Sequence, residues 1–328
     1  MNILLYGATG TIGDSVFKIV NKNHRNLKVV AATCNTNYKK LEKLKIKYSI
    51  EKLGINNHKS ANKYKSLYSA SNKELVIGNE NFTKLITKDI DVIILAISGL
   101  SALNISYEIA KSGKIFGLAN KECIISLGPR LISVAKRNKT KIIPLDSEHN
   151  SIYRLLESNK NKFKSITITA SGGPFFNKNI SFLKNVTPNQ AIKHPIWKMG
   201  KKISVDSATM VNKALEIIEA KYLFDLNSDQ INAIIHPESI IHAAINFYDN
   251  SSISLLNEPD MKIPISYLLK VYNNTNQNEN IFQQLNKKSL TFYKINQDRF
   301  PAIKLAYKVL EIGGLAPHVF NYNNEVLV

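Results

Sequence analysis

A chain of 328 residues with 44% hydrophobic and 21% charged residues has the length and composition of a globular protein of two or three domains, and excludes a disordered or fibrous one. Its formal net charge of +19 raises nucleic acid or a membrane surface as a partner. Yet the lysines are spread among asparagines along the whole sequence, with no arginine-rich arm or block of like charge, so solvated surface positions and an anionic small molecule fit better.

Asn2 to Tyr6 is a short apolar run that stops at Gly7-Ala8-Thr9-Gly10-Thr11-Ile12-Gly13, and Asp14 to Asn21 follows with helical periodicity. Strand, glycine turn and helix form the setting of a dinucleotide site. Small residues let the backbone approach a pyrophosphate, and the first amides of the helix face its charge. The spacing is GxxGxxG rather than GxGxxG, so the position of the turn carries the argument, and a turn without ligand would look alike. A second strand, Lys28 to Thr33, ends at Cys34-Asn35-Thr36-Asn37, with Lys39 and Lys40 behind it and no carboxylate before Glu42. An NAD site wants an acidic residue there, so NADPH is expected over NADH. The same lysines also fit the solvated first turn of a basic helix, expected over Tyr38 to Leu53.

Further strands are predicted over Lys73 to Gly78, Val92 to Ile97 and Lys114 to Leu118. The last of these ends at Ala119-Asn120-Lys121-Glu122, where open α/β sheets place ligands. Lys121 reads either as a contact to nicotinamide or substrate, or as part of an ordinary helix cap. A strand from Lys141 to Leu145 leads to Asp146-Ser147-Glu148-His149-Asn150. Carboxylates at i and i+2 beyond a strand suit a hard divalent cation, Mg²⁺ or Mn²⁺, with Glu216 as the candidate third ligand. His149 is read as solvated or capping, and His24 and His58 carry no signal.

Ser165 to Ala170 is a predicted strand that breaks at Ser171-Gly172-Gly173-Pro174-Phe175, a phosphate cradle or a bare turn. The densest stretch is His194 to Glu216. Pro195 and Gly200 make His194 to Gly200 a loop, and a helix is expected to start near Ser207 and run to Glu219. Asn212 and Glu216 then share a face, with Lys213 beside them, a composition suited to holding an anion next to a carboxylate. Ile231 to Ile235, Ile240 to Phe247 and Ser252 to Leu256 read as strands or short helices. His236 and His242 read as structural, and Glu258-Pro259-Asp260 as a polar turn. Asn273 to Asn280 is an Asn-rich linker, and Pro301 to Ile312 is helical. Cys34 and Cys123 are far apart and form no CxxC pair, and no apolar run is long enough for a bilayer. No basic leader precedes the first strand, so a cytoplasmic compartment is expected.

Taken together, the glycine turn, Leu118-Ala119-Asn120-Lys121-Glu122, Asp146 to Asn150, Ser171 to Phe175, His194 to Glu216 and Glu258-Pro259-Asp260-Met261 resemble the 1-deoxy-D-xylulose 5-phosphate reductoisomerase family, in order and over nearly the whole chain. The resemblance implies an α/β fold with a Rossmann-like NADPH-binding domain over residues 1–148. An α+β catalytic domain carrying substrate and metal sites follows over 149–270, then a linker over 271–299. Residues 300–328 are the start of a C-terminal helical region that the family continues further, so the chain is expected to be truncated there. It also implies a sugar-phosphate substrate and a homodimer. Asp146, Glu148 and Glu216 take the place of metal ligands. Ser147, Ser171, His194, Ser207, Asn212 and Lys213 take that of substrate and phosphate contacts, together with Glu148 and Glu216, and Lys121, Glu148 and His194 that of catalytic groups. Thr9, Gly10, Thr11, Ile12, Asn37, Asn120, Glu122 and Gly200 match the NADPH contacts, and Trp197 and Met199 lie in what the family uses as a flexible lid. Where many members carry Gly and a basic residue after the second strand, this chain has Asn35-Thr36. Two rivals compete. A plain NADP reductase leaves the three carboxylates without a role, and a nonenzymatic dinucleotide or nucleic-acid binder leaves most of the polar motifs without one.

Overall fold

The computed structural model describes residues 1–23, 25–68, 75–159, 161–197, 199–271, 281, 285 and 289–328. His24, Lys73, Lys198 and the Asn273 to Asn280 segment lie outside the described residues. The chain divides into two compact units, one of Met1–Cys123, Leu127–Leu145 and Met261–Tyr272, the other of Ile124–Ser126, Asp146–Asp260 and Asn273–Val328.

Among its described residues the first unit is built on seven strands: β1 (Asn2–Tyr6), β2 (Lys28–Cys34), β3 (Lys52–Ile55), β4 (Leu75–Ile77), β5 (Val92–Leu95), β6 (Ile115–Leu118) and β7 (Lys141–Pro144). They form one sheet in the order β4-β3-β2-β1-β5-β6-β7, every pair parallel. Strands covered on both faces read as unbroken apolar runs. That is the character of Leu4-Leu5 in β1 and Val92-Ile93-Ile94-Leu95 in β5, all fully buried at the centre of the sheet. Strand order reverses between β1 and β5, and the glycine turn after β1 sits at this reversal, where such sheets bind ligands.

β3 departs from the sequence expectation of one helix from Tyr38 to Leu53. The helix spans Tyr38–Tyr48 and stops at Ser49, whose φ of 52° is left-handed. Lys52–Ile55 then enters the sheet because Gly54 has no Cβ. The side chains of Phe82 and Thr33 come within 2.8 Å of where one would stand. The return of Met261–Tyr272 to the first unit also differs from an uninterrupted catalytic region to residue 270. Its helix Lys262–Leu268 packs on helix Thr11–Lys22, and Leu268 lies over Gly117 in β6.

Among its described residues the second unit has four strands, β8 (Ser165–Ala170), β9 (Ile231–Ile235), β10 (Ile241–Asn246) and β11 (Ser252–Leu256), in the order β11-β10-β8-β9. β8 and β9 are parallel, and β10 is antiparallel to both β8 and β11. Ile166 and Ile168 of β8 join Ile152, Leu215, Ile218 and Ile303 in one core beneath the helices Ser147–Ser158, Val211–Phe224 and Pro301–Ile312. Buried His236 hydrogen-bonds through Nδ1 to the Thr291 carbonyl at 2.9 Å and accepts from the Ile240 amide at 3.2 Å, a structural role. No helix among the described residues is long and apolar enough to cross a membrane.

Candidate active site

In the first unit the glycine turn is shaped by backbone crowding. Gly7 has φ of 80°, and a Cβ there would lie 2.4 Å from the Ala96 carbonyl oxygen; a Cβ on Gly13 would lie 2.1 Å from that of Ala8. Gly10 differs, with nothing nearer than 3.5 Å, and it is the exposed N-cap of helix Thr11–Lys22 with no side-chain cap. The Gly10 amide closes the turn by donating to the Gly7 carbonyl, so Thr9 and Gly10 lead into the first-turn amides of Thr11 and Ile12, which helix geometry leaves open to an anionic ligand. Lys40 stands beside them, its ammonium 3.1 Å from the Thr9 carbonyl and paired with Asp14 at 2.7 Å. Asn37 caps helix Tyr38–Tyr48 by accepting from the Lys40 amide. Asn120 is buried, and its side chain is engaged within the unit: Nδ2 donates to the carbonyls of Ile97 and Gly99, and Oδ1 accepts from the Cys123 amide. Lys121 and Glu122 open the next helix, both largely buried.

In the second unit Asp146 caps helix Ser147–Ser158, accepting from the Glu148 amide. Glu216 comes from helix Val211–Phe224, and one carboxylate oxygen from each of Asp146, Glu148 and Glu216 lies within 4.8 Å of the others. An all-oxygen set of three carboxylates suits a hard divalent cation that keeps water or substrate on its other positions. Lys213 points into the same cluster, 2.8 Å from Glu148 and hydrogen-bonded to Glu216. Burial alone would lower its pKa, but the charges of Glu148, Glu216 and Asp146 outweigh that and raise it, so the ammonium persists. Asn212 donates to Glu216 at 2.5 Å, and Ser147 to Glu148 at 2.6 Å.

A second group forms around the turn after β8. His194 Nδ1 accepts from the amides of Ile196 and Trp197, which places its proton on Nε2, 2.9 Å from the Ser171 hydroxyl oxygen. Burial lowers the His194 pKa to about 4, so the ring is neutral near pH 7. The Gly173 amide also donates to Ser171. With two donors on its oxygen, the Ser171 hydroxyl is set to donate its own proton onward, to an acceptor such as a phosphate oxygen. Gly173 has φ of 67°, and a Cβ on it would lie 2.6 Å from the Ser207 carbonyl oxygen, so this turn abuts the end of helix Lys201–Ala208.

Of the predicted site residues, the structure gathers Asp146, Ser147, Glu148, Asn212, Lys213 and Glu216 into one cluster and Ser171 with His194 into another. Ser207 touches the second group through its backbone. Gly200 caps helix Lys201–Ala208 in the second unit, with nothing near where its Cβ would stand, whereas the other predicted NADPH contacts, and the predicted catalytic Lys121, belong to the first. Two expectations are corrected. The helix predicted from Ser207 to Glu219 is two helices, Lys201–Ala208 and Val211–Phe224, broken where Met210 takes a left-handed φ of 61°. His149 is fully buried, not solvated. Its Nε2 hydrogen-bonds the Glu216 carbonyl at 3.0 Å, and Nδ1 faces Glu219 at 3.2 Å and Asp146 at 3.4 Å. Burial opposes its charge, but Glu219 and Asp146 prevail and hold its pKa well above the ordinary value. Sequence reasoning missed Glu219. The signal was there, since Asn212, Glu216 and Glu219 make an i, i+4, i+7 polar stripe along a helix whose residues 214–220 are otherwise apolar.

Comparison with known proteins accounts for both units. Residues 3–128 match the family model of 1-deoxy-D-xylulose 5-phosphate reductoisomerase, and residues 142–224 and 256–328 match two models of its C-terminal domains. The chain is 38% identical to the Clostridium novyi 1-deoxy-D-xylulose 5-phosphate reductoisomerase over 334 aligned positions, covering 100% of this chain and 86% of that protein. It is 39% identical to the Clostridium perfringens enzyme, covering 99% and 86%. Among solved structures, a DOX-P reductoisomerase in complex with NADPH, fosmidomycin and magnesium superposes with a TM-score of 0.92 at 32% identity, covering 100% of this chain and 83% of that one. The Zymomonas mobilis enzyme in complex with NADPH gives 0.89 at 33% identity, covering 99% and 85%. The matched ranges take in the turn after β1, the carboxylate cluster and the serine–histidine pair alike, and this chain belongs to the 1-deoxy-D-xylulose 5-phosphate reductoisomerase family.

Proposed function

We propose that the chain carries out the NADPH- and divalent-metal-dependent rearrangement and reduction of 1-deoxy-D-xylulose 5-phosphate to 2-C-methyl-D-erythritol 4-phosphate in non-mevalonate isoprenoid synthesis. The convergence of Asp146, Glu148 and Glu216 carries the reading, because a plain reductase has no use for three carboxylates on one point. When bound, a divalent cation supplies Lewis-acid polarisation of the substrate oxygens and NADPH supplies hydride. Asp146, Glu148 and Glu216 would hold Mg²⁺ or Mn²⁺, and Lys213, with Asn212, fixes the Glu216 carboxylate in place. Ser171, oriented by His194 and the Gly173 amide, donates toward the phosphate, with Ser207 beside it, and that anchoring energy orders the reacting end of the substrate. The first-turn amides of Thr11 and Ile12 take the pyrophosphate of NADPH beside Gly10, whose own amide donates to the Gly7 carbonyl, and the lack of an acidic residue at Asn35-Thr36-Asn37 favours the 2′-phosphate. Lys40, at the mouth of this turn, adds positive charge there. Lys121 would serve near the reacting centre.

The proposal also takes the chain to be cytoplasmic, supported by two free buried cysteines, and homodimeric, to be checked by sedimentation equilibrium. The deciding experiment follows NADPH absorbance with 1-deoxy-D-xylulose 5-phosphate, with and without Mg²⁺ or Mn²⁺, beside Glu216→Gln. Metal-dependent oxidation in the wild type and its loss in the variant are expected. Oxidation that persists after chelation would overturn the reading.

A further inference from the structure

The C-terminal helix Ala316–Leu327 turns two amides inward beside Pro317 and Phe320. Leu315, Val319, Tyr322 and Val326 are more than half exposed, whereas Asn321 is fully buried and Asn324 nearly so. Burying amides is costly unless their hydrogen bonds are met inside. Asn321 donates to the Ser126 hydroxyl at 3.2 Å. Asn324 donates at 3.0 Å to Oδ1 of Asp206, a carboxylate only 2% exposed, and its neighbour Glu325 pairs with Lys202 at 2.5 Å. Lys202 in turn reaches the other Asp206 oxygen at 3.1 Å, one helical turn away. Two adjacent residues of the C-terminal helix therefore grip two residues on one face of helix Lys201–Ala208.

The gripped helix is the junction of the site in this unit. Its N-cap Gly200 ends the loop that carries His194 and Trp197. Ser207 near its other end abuts the Ser171-Gly172-Gly173 turn, and after Met210 the chain enters the helix of Asn212, Lys213 and Glu216. Neither Asp206 nor Asn324 is among the residues that converge on the carboxylate or serine–histidine groups.

We propose that Asp206, Asn324, Lys202 and Glu325 form a latch that positions helix Lys201–Ala208, and through it the His194–Gly200 loop and Ser207, for binding of the anionic substrate. Asp206 and Asn324 are positioning residues. The substrate half of the statement rests on the function proposed above; the loop half does not. Opening the latch should loosen the loop and weaken substrate binding while leaving the carboxylate cluster, held by its own contacts, nearly as it was.

Trp197 is the single tryptophan of the chain and sits on this loop, its ring 6.1 Å from that of His242, so its fluorescence reports the loop directly. The experiment compares Asn324→Ala and the milder Glu325→Gln with Asn321→Ala, which removes a buried amide from the same helix face but not from the latch. Acrylamide quenching of Trp197, Mn²⁺ affinity by electron spin resonance, and KM and kcat are measured on each. For Asn324→Ala the quenching constant should rise about two-fold and KM several-fold, with Mn²⁺ affinity within two-fold of wild type. Glu325→Gln should move in the same direction by less, and it carries the test if Asn324→Ala does not fold. Asn321→Ala should lose thermal stability without moving Trp197 quenching or KM. Unchanged quenching in both latch variants, or equal changes in Asn321→Ala, would overturn the latch. If the wild type does not turn over the ketose phosphate, the functional reading fails by itself, while quenching still decides whether the latch holds the loop.

Discussion

His194 and Lys213 carry opposite electrostatic assignments. His194 is kept neutral by burial, with a pKa of about 4, and buried His242 is lowered to about 4 by burial and by the charge of Lys213. Above pH 6.5 both rings are neutral in the folded and unfolded chain and add nothing to the pH dependence. Below it, the unfolded chain takes up protons that the folded one refuses until about pH 4, so their contribution to stability falls as pH falls through this window. Urea melts between pH 4 and 7 should show this slope, and it should be shallower in His194→Gln. Lys213 gives a second prediction. Lys213→Met leaves Glu148 and Glu216 crowded without their ammonium and should cost about 3–5 kcal/mol, the usual result of breaking a buried ion pair. Thermal melts with and without Mg²⁺ should show the deficit shrinking when the cation is added, since it replaces the missing positive charge. A deficit that ignores Mg²⁺ would remove Lys213 from the metal cluster. Asp146 and Glu148 stood out in the sequence as carboxylates at i and i+2 beyond a strand, and Glu216, only a candidate partner 68 positions on, is brought to them by the fold. His149 was not legible, because its burial is decided by the Glu216 carbonyl, 67 positions away, and by Glu219.

At the scale of the element, the glycine turn separates folding from binding. Gly7 and Gly10 lie three residues apart and look alike in the sequence, yet only Gly7 has a left-handed φ and a carbonyl where its Cβ would be. Gly7→Ala should therefore destabilise by about 1–3 kcal/mol or more, as strain at such a backbone position does. Gly10→Ala should hold its melting temperature within a degree or two and lose NADPH affinity by about ten-fold, because a methyl there meets ligand rather than protein. Fluorescence titration with NADPH beside thermal melts checks both; a Gly10→Ala variant that binds normally would move the pyrophosphate elsewhere. The elements legible in the sequence were those with a strong apolar run or a proline start, such as β1, β5 and helix Pro301–Ile312. β3 was hidden, since a four-residue strand with a lysine and a glycine has no pattern of its own and is made by Phe82 and Thr33 closing over Gly54. The break at Met210 was hidden for a similar reason: helical periodicity runs across it, and tertiary packing sets the turn.

For the molecule as a whole, the charge of +19 should act on encounter more than on chemistry. KM for the anionic substrate should rise with ionic strength as the screening length falls toward about 8 Å near 0.15 M, with kcat nearly constant; a salt-independent KM would confine the charge to solubility. The division of the chain into units was less legible than its motifs. A sequence reading cuts domains at successive positions, whereas Met261–Tyr272 goes back to the sheet that residues 1–145 begin. That return has a consequence for the order of synthesis. Leu268, which lies over Gly117 of β6, leaves the ribosome after Asp146, Glu148 and Glu216. The nucleotide-binding sheet, though first to be translated, is thus among the last parts to be completed. A nascent chain stalled at residue 145 should expose apolar surface on β6 and recruit holdase chaperones, and supplying residues 261–272 through a short linker should relieve it.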